Sequence, residues 1–148
     1  MSRKIPCVSR GATKVGESND CVVRALTNVT GKSYDEIHAL LDKHGRKHGK
    51  GTFMPTTFAA MKELGFMPVI FKSGYENYHT SKYWNTKLEE RKSLGKVVSE
   101  LTKGRFVVYV KGHATSLIDG SIVDTFDQSK SKPVHAIWWH PEISFKNF

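Results

Sequence analysis

The feature that most constrains this chain is a change of period near Arg105. From there RFVVYVKG, HATSLI, SIVDTF and VHAIWWH are β-branched and aromatic. Asp119-Gly120, between the second and third of these runs, is a dipeptide that closes tight hairpins. The last third of the chain is therefore expected to form an antiparallel sheet.

The chain before it reads in helical spacing. Val22, Val23, Leu26 and Val29 predict a short helix from Cys21 to about Val29, stopped by Gly31. Ser33-Tyr34-Asp35-Glu36 is a capping-box pattern, and Ile37, Leu40 and Leu41 continue it as an apolar stripe to about His44. A third helix follows from Pro55 in a first turn, Phe58, Met61 and Leu64 on one face, and Gly65 as the stop. Leu94, Val97, Val98 and Leu101, closed by Gly104, predict a fourth. Between them, Met67 to Phe71 is a candidate strand. Residues 1–19 are expected to be an irregular arm broken by Gly11 and Gly16, and residues 72–93 a long loop or insertion. Helices first and a sheet afterwards make an α+β fold, with N-terminal helices packed on a C-terminal antiparallel sheet.

A length of 148 residues with 39% hydrophobic content suits one core and one domain, residues 1–148. No apolar run approaches the roughly 18 residues of a membrane span, and MSRKIPCVSR lacks the apolar centre of a secretory signal, so a cytoplasmic protein with no membrane partner is expected. In that setting Cys7 and Cys21 are expected as free thiols, and the Asn28-Val29-Thr30 sequon as incidental. The net charge of +9 spreads over KHGRKHGK, the N-terminal arm and scattered lysines. It implies an acidic partner or a solvated basic surface. Nucleic acid is one such partner, although no finger, helix-turn-helix or aromatic-basic RNA motif accompanies the charge.

The candidate chemistry starts at Cys21. Only the thiolate of a cysteine is a useful nucleophile, and a helix N-terminus together with an imidazolium lowers its pKa. The helix places Cys21 in a first turn. His113 opens the strand HATSLI, and its position at a strand edge suits a base facing a cleft. Asp124 lies across the Asp119-Gly120 turn, where pairing of 113–118 with 121–125 brings the far strand ends together. A carboxylate there would fix the imidazole tautomer. Asp119 and Asp127 are alternative acids, though Asp119 belongs to turn chemistry. Each residue also has a plain structural role open to it: a lone helical cysteine is commonly buried packing, a strand histidine a hydrogen-bonding residue, and Asp124 a strand terminator. The conjunction of the three favours chemistry. Asp20, just before Cys21, suits the helix dipole but opposes a thiolate.

Other signals are weaker. His44 and His48 are four apart, but Gly45 and Gly49 disfavour a helical metal pair and no ligand cluster completes it, so no metal is expected. His135 and His140 flank Trp138 and Trp139, of which alternation packs one indole inward.

The segments SNDCVVRAL and GHATSLIDGSIVDTFD carry a resemblance. The first resembles the nucleophile segment of papain-like cysteine peptidases, close to ovarian-tumour-type deubiquitinases. The second resembles the histidine and aspartate strands of bacteriocin leader-processing peptidases. Together they span about 25 of the 148 residues, and short bacterial and phage proteins are of the same general kind. The resemblance implies a papain-like fold with Cys21 as nucleophile, His113 as base and Asp124 as orienting acid. The oxyanion-hole glutamine of those enzymes has no counterpart, since Val15 stands at its place. Asn19 is the nearest amide, open to that role beside the Cys21 N–H or to a role as helix cap.

The expected function is a cysteine-dependent hydrolase of peptide, isopeptide or other amide bonds, acting on a protein or peptide substrate without a cofactor. The alternatives are a catalytically inactive papain-like binding protein, whose basic surface engages nucleic acid or an acidic protein, and acyl transfer in place of hydrolysis.

Overall fold

A computed structural model describes residues 4–5, 20–47, 51–52, 54–68, 92–110, 112–124 and 128–145. Among the described residues, four helices and seven strands run in the order β1 (Lys4–Ile5), α1 (Cys21–Thr30), α2 (Tyr34–Lys43), α3 (Met54–Leu64), β2 (Met67–Pro68), α4 (Leu94–Glu100), β3 (Arg105–Val110), β4 (His113–Ile118), β5 (Ser121–Val123), β6 (Gln128–Ser129) and β7 (Val134–Trp139). The class is α+β.

Three helix termini have a clear local cause. α1 ends where Gly31 takes a φ of 73°, and the Gly31 N–H donates to the Thr27 carbonyl. Ser33 caps α2 by accepting from the Glu36 N–H, and Ser93 caps α4 by accepting from the Lys96 N–H. The α1 cap position falls on Asp20, whose side chain makes no capping bond. Its carboxylate is engaged elsewhere, as described below.

Five strands form an antiparallel sheet in the order β2-β7-β3-β4-β5. Alternation along β3 and β7 divides the apolar side chains between its faces. Val107, Ala136 and Trp138 join Val22, Val23, Leu26, Ile37, Leu41 and Met61 in a cluster with α1, α2 and α3. Phe106, Val108, Val110, Ile137 and Ile122 join Leu94 and Val97 of α4 in a second cluster. Trp138 is the indole packed inward, and Trp139 is half-buried. Among the described residues no helix is long and apolar enough to cross a membrane.

Three expectations are revised. The arm of residues 1–19 is not wholly irregular, because Lys4–Ile5 pairs antiparallel with Gln128–Ser129. Strand β5 stops at Val123, so Asp124 follows the strand instead of lying within it. Lys92 and Ser93 belong to α4 and its surroundings: the Val134 N–H donates to the Lys92 carbonyl, and Ser93 bridges to Pro133. The rest of the expected 72–93 loop, and of the Met67 to Phe71 strand beyond Pro68, lies outside the described residues, as does His48.

Candidate active site

Cys21 is the first residue of α1 and His113 the first of β4. The thiol is half-buried, and His113 is the group whose hydrogen bonding and charge most lower its pKa. His113 Nε2 donates to Asp124 Oδ2 at 2.7 Å, which leaves Nδ1 as the ring nitrogen not engaged by Asp124. The hairpin explains how Asp124 arrives there. Its register pairs Ser116 with Val123 and Leu117 with Ile122. Extended by one residue, it sets Asp124 opposite Thr115, two positions along β4 from His113 and hence on the same face. The turn that sets this register has Asp119 at φ 48° and Gly120 at φ 81°, the left-handed pair of a type I′ turn. A register shift between Tyr109 and Val110 lies beside His113, the cross-strand partner of Val110.

Asp124 is 3% exposed and is surrounded by donors. Oδ2 accepts from His113, from the Thr115 hydroxyl and from Gln128 Nε2 at 3.3 Å, while Oδ1 accepts from Arg24 Nη1 at 2.9 Å. Acceptance from all four partners matches a carboxylate, which has no proton to donate. Arg24 in turn donates through Nε to Asp20 Oδ1 at 2.8 Å, and the Tyr34 hydroxyl donates to Asp20 Oδ2 at 2.6 Å. A chain of alternating sign results, running Asp20, Arg24, Asp124, His113, Cys21.

The electrostatics follow. Burial pushes the Cys21 thiol up, but the hydrogen bond from His113, the Ala114 backbone N–H, the charge of His113 and that of Arg24 together bring it below its ordinary value. His113 is raised to about 9: burial opposes its charge, and hydrogen bonds and charge from Asp124 and Cys21 outweigh that. Both shifts favour a thiolate–imidazolium pair over the neutral thiol and imidazole. The Asp20 carboxylate, expected to oppose a thiolate, is itself paired with Arg24 and Tyr34.

The structure thus brings Cys21, His113 and Asp124 together. Asn19 and Asp127 lie outside the described residues. Asp119 is remote from the cluster by role: its Oδ1 accepts from the Gly104 N–H at 2.9 Å, and its own N–H donates to the Gly104 carbonyl. His140 caps the end of α3, with Nε2 donating to the Leu64 carbonyl and Nδ1 accepting from the Glu142 N–H. His44 faces Glu63, and no cluster of metal-ligating side chains occurs among the described residues.

Sequence reasoning missed Arg24, Tyr34, Thr115 and Gln128. One signal was available, since Asp20 and Arg24 stand at i and i+4 across the start of a helix, a spacing that favours an ion pair. Tyr34, Thr115 and Gln128 carry no such local pattern. No family model, curated protein or solved structure matches the chain.

Proposed function

We propose that the chain is a papain-like cysteine hydrolase that cleaves a peptide, isopeptide or other amide bond. One observation carries this reading: a single imidazole is held through Nε2 by a buried carboxylate and lowers the pKa of a helix-terminal thiol. That is the division of labour between nucleophile, base and orienting acid.

In the proposed mechanism the Cys21 thiolate attacks the substrate carbonyl carbon, forming a C–S bond and moving the carbonyl electron pair onto oxygen. N–H groups of the first turn of α1 have no intrahelical partner, so the Cys21 N–H is the donor for this oxyanion. Collapse of the intermediate breaks the C–N bond while the His113 imidazolium gives its proton to the leaving amine. His113 then takes a proton from water, whose oxygen attacks the thioester. The acid product leaves and the thiolate is restored.

The test is labelling with a thiol-directed acyl probe in wild type, Cys21→Ala and Cys7→Ala, followed by substrate screening with the labelled form. Labelling and turnover are expected to vanish with Cys21→Ala alone. Labelling that survives Cys21→Ala, or that never tracks turnover, overturns the reading.

A further inference from the structure

We propose that Arg24 is a positioning residue of this centre, clamped by Asp20 and Tyr34 so that it fixes Asp124 and, through Asp124, the His113 ring. The inference rests on the reading of Cys21, His113 and Asp124 as a reactive centre.

Geometry supports it from both ends of the guanidinium. Nε and Nη1 reach two carboxylates that lie on different elements, Asp20 before α1 and Asp124 after β5. Arg24 is on the same helix as the nucleophile, three residues from Cys21. One side chain therefore ties the helix that carries the thiol to the hairpin that carries the acid. A planar fork does this with a defined direction, which a lysine ammonium lacks. Asp124 Oδ1 is also given a donor distinct from the three at Oδ2, so rotation of the carboxylate away from His113 breaks a charge-assisted bond.

Charge balance gives a second, independent reason. Arg24 and His113 are the two cations of the alternating chain, against Asp20, Asp124 and the Cys21 thiolate. Remove Arg24, and two buried carboxylates and a thiolate share one imidazolium. Nearby negative charge disfavours the thiolate, so the Cys21 pKa rises.

The readout is the pH dependence of Cys21 alkylation by iodoacetamide, which needs no substrate, measured alongside circular dichroism of each variant. For Arg24→Gln the acid limb is expected to move to higher pH, with the rate at pH 6 falling on the order of 10-fold, one pKa unit's worth. Arg24→Lys keeps a cation between the carboxylates and is expected to move the limb by less, but measurably. Should Arg24→Gln fail to fold, Arg24→Lys carries the same test. Because Arg24 acts chiefly through Asp124, the shift in Arg24→Gln/Asp124→Asn is expected to be smaller than the sum of the two single shifts. Unshifted limbs in folded variants, or shifts that simply add, overturn the inference. The two failures separate: a wild-type Cys21 that alkylates like an ordinary thiol overturns both readings, whereas a reactive Cys21 indifferent to Arg24 overturns this one alone.

Discussion

At the scale of single residues, the pair Cys21–His113 sets how the protein answers pH, and two assays report it differently. Alkylation needs only the thiolate, so it is expected to rise through the lowered Cys21 pKa and then stay level past pH 9. Amide turnover also needs the His113 proton for the leaving amine, so it is expected to fall again near pH 9. Turnover that tracks alkylation through pH 10 would remove His113 as the acid. Stability follows the opposite logic for the two groups. His113 is raised from 6.5 to about 9, so its contribution is full below about 6.5 and is lost as pH rises through 9. Cys21 is lowered from 9.0, so its contribution is full above that value and is lost as pH falls through the folded pKa. Between about 6.5 and 9 the two trends oppose each other, and the thermal midpoint is expected to change little with pH there, to be checked by calorimetry. Asp124→Asn tests the third residue. An amide oxygen at the Oδ2 place still accepts from His113, but its nitrogen then meets the Arg24 Nη1 donor. The expected result is a turnover loss of about 10²–10³-fold, with about 1–3 kcal/mol of lost stability from the unmade bonds. Turnover within a factor of two of wild type would show that Asp124 does not orient the ring.

At the scale of elements, the hairpin β4–β5 carries the most information per residue. Its turn was legible, since few dipeptides accept two consecutive left-handed residues and Asp119-Gly120 is one of them. The register followed from that turn, and with it the approach of Asp124 to His113. The second task of Asp119 was not legible, because its partner Gly104 is fifteen positions away and declares nothing. Asp119→Asn keeps both an acceptor oxygen and tolerance of positive φ, so it is expected to cost less than about 1 kcal/mol. Asp119→Ala loses both and is expected to cost about 1–2 kcal/mol. Neither change touches the thiol or the imidazole, so alkylation of Cys21 in the folded variants is expected to match wild type. If Asp119→Asn abolished reactivity while Asp124→Asn preserved it, the roles of the two aspartates would be reversed. α1 shows the limit of periodicity from another side. Val22, Val23, Leu26 and Val29 mark a buried stripe, yet Arg24 lies buried on the same helix. An apolar pattern cannot flag a buried cation whose anionic partner comes from a hundred residues away.

At the scale of the whole molecule, the two apolar clusters support different parts of the centre: the first packs α1, which carries Cys21, and the second includes Ile122, on the same hairpin face as Asp124. Leu26 is fully buried among α1, α2, α3 and one face of the sheet, on the helix that presents Cys21. Leu94 is fully buried between α4 and the other face, on an element that supplies no side chain to the alternating chain of charges. The sequence told the layers apart only as far as class: helical spacing and strand texture sufficed for α+β, but which face each helix covers depends on strand order β2-β7-β3-β4-β5, and no local pattern encodes that order. The short pair β1–β6 was illegible for the same reason, being a contact between two-residue strands at opposite ends of the chain. The division makes a prediction. Leu26→Ala and Leu94→Ala each remove a large buried side chain, and each is expected to cost about 2–5 kcal/mol through lost burial and a residual cavity. Denaturant melts should give losses of that size for both. Their effects on Cys21 should differ, because interiors are close-packed and a cavity relaxes mainly its own neighbours. With Leu26→Ala, α1 shifts toward the space left beneath it and the thiol loses its fixed approach to His113, so the alkylation rate at pH 6 should fall in protein still folded by circular dichroism. With Leu94→Ala, whose cavity opens beside α4 and not beneath Cys21, that rate should fall by less under conditions where the variant is folded. Equal losses of reactivity from both sites would mean that the centre depends on both sides of the core alike and not chiefly on the α1 side of it.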